Sequence, residues 1–264
     1  MAETPYVLTE VDDRVGWLIL NDPARLNPVG GDRIKIQDIN TAAMALSARD
    51  DVRVVIVTGA GRGFCSGADL SRGFGSASAD GEPRTAYPPA SGSLVGEGSG
   101  LWTLTAMRRP VIAMVNGAAV GYGTELAVQA DLRIAGRSAR FGLPFAKLGV
   151  VSDTGAGSWL LPRLIGWSRA AEMLYTARLF SADEALHFGL VNRVVADEEL
   201  RDVTTALARE IAEHSAWSLR TMKRMLFDGL EETRRAHVLE QYLRYRESGR
   251  DIDPALYAGR FRKG

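Results

Sequence analysis

Glu125 and Asp153 are the two carboxylates whose sequence surroundings suggest chemistry. Glu125 falls in the first turn of a helix expected to open near Thr124. An acid there complements the helix dipole, so its place alone has an explanation without catalysis. Asp153 lies close to apolar Val150, Val151 and Phe145. A carboxylate in that company is expected to resist ionisation and to exchange protons near neutral pH. The competing reading makes Asp153 the N-cap of a helix beginning near Thr154. Two glycine-paced segments accompany these acids: Gly63-Phe64-Cys65-Ser66-Gly67-Ala68-Asp69-Leu70, and Asn116-Gly117-Ala118-Ala119-Val120-Gly121-Tyr122-Gly123-Thr124-Glu125. Each follows a β-branched run, Val52–Thr58 and Val111–Val115.

The elements that must position these groups read as α/β. Val15, Trp17 and Ile19 alternate with small or polar neighbours, as a half-buried strand does. Asn21-Asp22-Pro23 ends that strand in a turn. A helix is expected from about Asp32 to Ala48, with Ile36, Ile39, Ala43 and Leu46 at helical spacing. Val52–Val57 is a continuous apolar run of the kind buried on both faces of a parallel sheet. Strand, helix and strand recur through Val111–Val115, Glu125–Ala130 and Leu132–Ala135, which implies crossover connections. From Ser168 onward the pattern reads as mostly helical, including Glu198–His214, Ser215–Phe227 and Glu231–Glu247. The expected organisation is a core over residues 1–195 and a helical region over 196–264. Residues 71–100, rich in Gly, Ser, Ala and Pro, are expected to form a flexible flap beside a ligand site or a variable surface insertion.

Composition narrows the function classes. In 264 residues, 32 Lys+Arg balance 32 Asp+Glu, which argues against a nucleic-acid or membrane-surface protein. The single cysteine excludes an internal disulfide framework and a cysteine-based zinc site, and no metal site is expected. No secretory signal or membrane span is read, so a cytoplasmic protein is expected. Gly59-Ala60-Gly61-Arg62-Gly63 lacks the third glycine of a dinucleotide fingerprint at the required place. Gly63-Phe64-Cys65-Ser66-Gly67 fits a cysteine nucleophile elbow, but several residues separate it from the preceding strand. His187, His214 and His237 show no acid partner pattern and read as surface or packing residues.

Taken together and in this order, the two glycine segments resemble the crotonase (enoyl-CoA hydratase/isomerase) superfamily, over about residues 5–250. The resemblance implies a crotonase (ClpP-like) spiral of ββα units with a helical C-terminal region that builds homotrimers or homohexamers. It implies that the backbone N–H groups of Ala68 and Tyr122 grip the thioester oxygen of an acyl-CoA as it becomes an enolate. Tyr122 stands where many relatives have the middle glycine of a triple-glycine run. Glu125 matches one of two glutamates that hydratases use as acid and base. The second follows a Phe-Gly-x-Pro step, and here Phe141-Gly142-Leu143-Pro144 is followed by Phe145, assigned to the acyl pocket. Asp153 resembles the aspartate that dienoyl-CoA and ring-epoxide/oxepin isomerases use to shuttle a proton, and that a dehalogenase branch uses as nucleophile. For the CoA end, the resemblance implicates Arg25 at the phosphates, with Leu26, Ser66, Asp69 and Leu70 around the nucleotide. The basic residues Arg260, Arg262 and Lys263 are a further phosphate candidate or a solvated chain end. The expected activity is double-bond isomerisation of an acyl-CoA, with CoA arriving as part of the substrate and no other cofactor. A hydratase and a non-catalytic acyl-CoA-binding protein are the alternatives.

Overall fold

The structure, a computed structural model, describes residues 5–70, 102–152 and 154–248. The flap expected at 71–100, Asp153 and the basic residues at 260–263 lie outside the described residues. The chain divides into two compact units, Met1–Glu213 and His214–Gly264.

The first unit winds between two sheets. β1 (Val7–Asp12) and β2 (Val15–Leu20) form an antiparallel hairpin, and β2 pairs in parallel with β3 (Val54–Gly59) after α1 (Ile36–Ala48). The chain then steps into β4 (Gly63–Cys65), passes α2 (Thr103–Ala106), and returns as β5 (Val111–Val115). β6 (Ala118–Val120) and α3 (Tyr122–Gln129) follow, then β7 (Leu132–Gly136) and β8 (Arg140–Gly142). Among the described residues the larger sheet runs β1-β2-β3-β5-β7 and ends on β10 (Arg193–Val195). The smaller runs β4-β6-β8 and ends on β9 (Leu179–Ser181). Each coil thus lays one strand in the large sheet and the next in the small one, all parallel from β3 to β7 and from β4 to β8. This is the spiral that the resemblance implied.

Residue alternation explains why the large sheet is covered on both faces. Val55 and Val57 of β3 join the main core with Leu18, Leu20, Val111, Ala113 and residues of α1 and α3. Val54 and Ile56 face the other way, against Val15, Trp17, Ile112 and residues of α7 (Leu200–Ala212). A parallel strand buried on both faces reads as an unbroken apolar run, and β3 is one.

The structure refines four expectations. The helix expected from Asp32 begins at Ile36, because Ile34 bridges Val29 in extended backbone first. The helix expected to open near Thr124 opens at Tyr122, after Gly121 at φ 54°. The region from Ser168 is mostly helical as expected, and around α5 (Trp167–Thr176) and α6 (Ala182–Phe188) it also supplies the edge strands β9 and β10 to both sheets. In place of a regular helix near Thr154, a π-helical turn over Ala156–Leu160 leads into α4 (Leu161–Ile165). The second unit holds α8 (Ala216–Asp228) and α9 (Arg234–Ser248), close to the helices expected there.

Candidate active site

Glycine packing brings the two motif segments together. A Cβ on Gly67, which sits at φ 95°, would stand 2.6 Å from the Val120 carbonyl oxygen. One on Gly123 would collide with the Cys65 carbonyl. Backbone therefore lies on backbone at both points, an approach that larger side chains would prevent. Val29 fixes the first segment, donating its N–H to Gly67 O at 2.8 Å and accepting from Asp69 N–H at 2.8 Å. Ala68 sits between those two bonds, with its own N–H outside this pairing. Tyr122 occupies the first position of α3, whose hydrogen-bond ladder begins with Glu125 N–H donating to Gly121 O at 3.1 Å. First-turn N–H groups point out of a helix end, which carries partial positive charge.

Two asparagines hold the approach to Ala68. Asn27 is fully buried at φ 56°, and its Nδ2 reaches Gly63 O at 2.8 Å and Ala60 O at 3.0 Å. Asn116 Nδ2 donates to Gly59 O and Gly61 O, each at 2.8 Å. Thr124 ties α3 to the small sheet. Its buried hydroxyl donates to Ala119 O at 2.6 Å and accepts from Gly142 N–H at 3.1 Å.

Glu125 is fully buried, and its Oε1 accepts hydrogen bonds from Ser152 Oγ at 2.5 Å and Gly157 N–H at 3.2 Å. The carboxylate is therefore held from Ser152 and from the turn at Thr154–Gly157. On the same turn Gly155, at φ 81°, lies against Trp102, where a Cβ would be 3.1 Å from the ring. Trp102 meets Trp159 edge to face with centroids 5.6 Å apart. Phe145, where a second carboxylate would be expected, sits half-buried against the main core in a short 3-10 turn over Pro144–Leu148.

The residues implicated at the CoA end also converge. Arg25 Nη2 pairs with Asp69 at 2.7 Å, Ser66 N–H donates to Leu26 O at 2.9 Å, and Leu70 stays exposed. The paired carboxylate holds the Arg25 guanidinium above its ordinary pKa. Arg33, which the sequence pattern did not single out, shares buried Asp22 with Arg25, at 2.9 Å.

The elbow reading fails on geometry. Cys65 is buried inside β4, and no helix follows it directly. Burial pushes its thiol up to about 12, so it is no nucleophile at neutral pH. Of the histidines, His187 is exposed on α6 and His237 contacts Glu232 at 3.2 Å in the second unit. Among the described residues no group of His, Cys, Asp or Glu could hold a metal ion, and no helix is long and apolar enough to cross a membrane.

A two-sheet spiral carrying paired glycine turns, a helix end and a buried glutamate defines a class before any comparison. The Enoyl-CoA hydratase/isomerase family model matches residues 12–249, and the chain belongs to that family, the crotonase superfamily. It is 38% identical over 217 residues to the probable enoyl-CoA hydratase echA12 of Mycobacterium bovis, covering 82% of this chain and 75% of that one. It is 36% identical over 222 residues to the 1,2-epoxyphenylacetyl-CoA isomerase of Escherichia coli K12, covering 84% and 81%. The crystal structure of a monofunctional enoyl CoA isomerase from M. smegmatis superposes with a TM-score of 0.72 at 32% identity, covering 89% of this chain and 99% of that one.

Proposed function

We propose that this enzyme isomerises an acyl-CoA thioester by moving a proton along its acyl chain. In this reading the Asp153 carboxylate removes a proton from the α-carbon of a 3-enoyl-CoA. The C–H electron pair flows toward the thioester carbonyl, giving a dienolate whose oxygen is held by the Ala68 and Tyr122 N–H groups. The same carboxyl then returns the proton at the γ-carbon, leaving the 2-enoyl-CoA. Such donors are preorganised and carry no titrating group, and losing one costs about 3 kcal/mol of barrier. Glu125 acts as a second acid/base or orients the acyl chain. Arg25, Leu26, Ser66, Asp69 and Leu70 bind the CoA portion, which enters with the substrate.

The observation that carries isomerisation over hydration is Phe145. Syn-addition of water uses one carboxylate to take a proton and another to give one, and an apolar ring packed on the core occupies the second place. Phe145 also narrows the acyl pocket in this reading. The isomerase names among the relatives support it, and the hydratase names keep water addition as the rival reaction.

Mass spectrometry of 2-enoyl-, 3-enoyl- and dienoyl-CoA thioesters incubated with the enzyme in D₂O tests the reading. Deuterium uptake with double-bond migration is expected, and Asp153→Asn should lower it by about 10²–10⁴-fold with acyl-CoA binding retained. Gain of one water by the 2-enoyl thioester would make the enzyme a hydratase, and full turnover in Asp153→Asn would remove Asp153 from the mechanism.

A further inference from the structure

We propose that Arg133 is a positioning residue for the oxyanion grip, closing the carboxyl end of α3 and so fixing the helix that carries Tyr122 and Glu125 at its other end. This rests on the reading above that Tyr122 N–H holds the thioester oxygen.

Arg133 is out of character for its place. It lies on β7, between Leu132 and Ile134, in the interior of the large sheet, yet it is only 4% exposed. Charged residues are almost never buried so far without partners. Burial pushes its guanidinium down to about 10, with Asp131 offsetting part of that penalty. A fold retains such a cation only where its donors are well used.

The donors converge on one helix end. Nη1 reaches Ala130 O at 2.5 Å, with Val128 O and Ala127 O each at 3.4 Å, while Nε donates to Leu190 O at 2.5 Å. The last carbonyls of a helix have no partner within it and carry its negative end. Here a planar fork satisfies them and ties them to the loop before β10. That loop is itself locked to Arg133, since Arg133 N–H donates to Asn192 Oδ1 at 2.8 Å and Asn192 N–H donates back to Arg133 O at 2.8 Å.

The helix is short enough for this to matter at its other end. Its eight residues span about 12 Å, and every one of them is buried. Thr124 pins the amino end to β6 and β8, and Arg133 pins the carboxyl end to β7. A rigid body held at both ends keeps the Tyr122 N–H in register with the Ala68 N–H. Releasing one end tilts it, and a misplacement of about 1 Å can cost roughly 10²-fold in rate.

Arg133→Lys keeps a cation but not the fork that spans Ala130 O and Leu190 O. The test reads the thioester carbonyl stretch of bound [1-¹³C]hexanoyl-CoA, a saturated probe that cannot isomerise, together with kcat and KM on the active enoyl-CoA. The expected result is a smaller carbonyl downshift than in the wild type, kcat lower by about 10- to 100-fold and KM changed less than about threefold. A variant that melts earlier but keeps both the carbonyl frequency and kcat would make Arg133 a stability residue and overturn the proposal. If Arg133→Lys does not fold, Asn192→Ala loosens the strand at Arg133 while leaving the guanidinium. A carbonyl downshift reduced in that variant supports the proposal, and an unchanged one overturns it. The wild type separates this inference from the reading beneath it. No carbonyl shift in the wild type refutes both, whereas a shift without isomerisation refutes only the proposed reaction.

Discussion

Glu125 has structural partners, Ser152 and Gly157 among them, and a proposed chemical role, and one substitution separates the two functions. Its Oε1 accepts from Ser152 Oγ and Gly157 N–H, and the amide oxygen of glutamine can accept from both. Glu125→Gln therefore keeps the anchoring bonds and the volume while removing the proton-transfer capacity. Turnover should fall by about 10²–10⁴-fold, the usual range for a positioned acid or base. The melting temperature should move by only a few degrees. A calorimetric scan beside the rate assay decides it, because normal turnover in a stable variant would leave Glu125 a packing acceptor. The glutamate itself was legible in the sequence, because a helix start after paired glycines is a recognisable place for an acid. Its partner Ser152 was not. A lone serine in a loop carries no periodic signal, and only folding brings it against a helix. Arg133 did carry a signal, a charge inside an apolar strand, that a pattern search for catalytic residues passes over.

α3 is the element on which both parts of the proposed chemistry depend, and Thr124 is its link to the small sheet. In Thr124→Val the shape is nearly kept, but Gly142 N–H loses its acceptor and Ala119 O loses its donor. A buried group left without a partner costs about 1–3 kcal/mol. For a chain of this size that is a fall in melting temperature of about 3–10 °C. Activity per folded molecule should fall as well, since the helix end carrying Tyr122 loses this tie to β6 and β8. Thermal melting that matches the wild type would mean the hydroxyl is dispensable to the sheet–helix join. The same elements show what a sequence makes visible. β3 and β5 are apolar runs that read as strands from sequence, β5 over the residues it occupies and β3 two residues early, at Val52–Val57. β4, β6, β8 and β9 have three residues each, too short for any alternation to register. The smaller sheet was therefore hidden in segments that read as turns or helix, and only the spiral of ββα units implied by the family resemblance pointed toward it.

Among the described residues of the first unit, Cys65 and Arg133 are buried groups whose alkaline titrations are shifted with opposite consequences for stability. Cys65 is raised from 9.0 to about 12 by burial, so between those values the unfolded chain loses a proton that the native state keeps. Stability then falls as pH rises, with a limiting slope of about 1.4 kcal/mol per pH unit. Arg133 is lowered from 12.5 to about 10 by burial, so above about pH 10 the native state loses a proton that the unfolded chain keeps. That contribution makes stability rise with pH and opposes the first. The decline should therefore be clear between about pH 9 and 10 and flatten beyond it; Cys65 alone contributes a loss of about 1 kcal/mol over that interval, and Arg133 offsets about a third of it. Tyrosines and lysines titrate in the same range, so the comparison that isolates the thiol is the wild type against Cys65→Ala. Urea unfolding of both at pH 8.5, 9.5 and 10.5 gives the slopes. The wild type should lose stability faster than the variant across the first interval, and iodoacetamide should leave the native thiol unmodified at pH 8.5. Parallel slopes would mean that Cys65 ionises as easily in the native protein as in the unfolded chain. The turn joining β4 to Ala68 would then admit water, and the sealed backbone contact between Cys65 and Gly123 would have to open in solution.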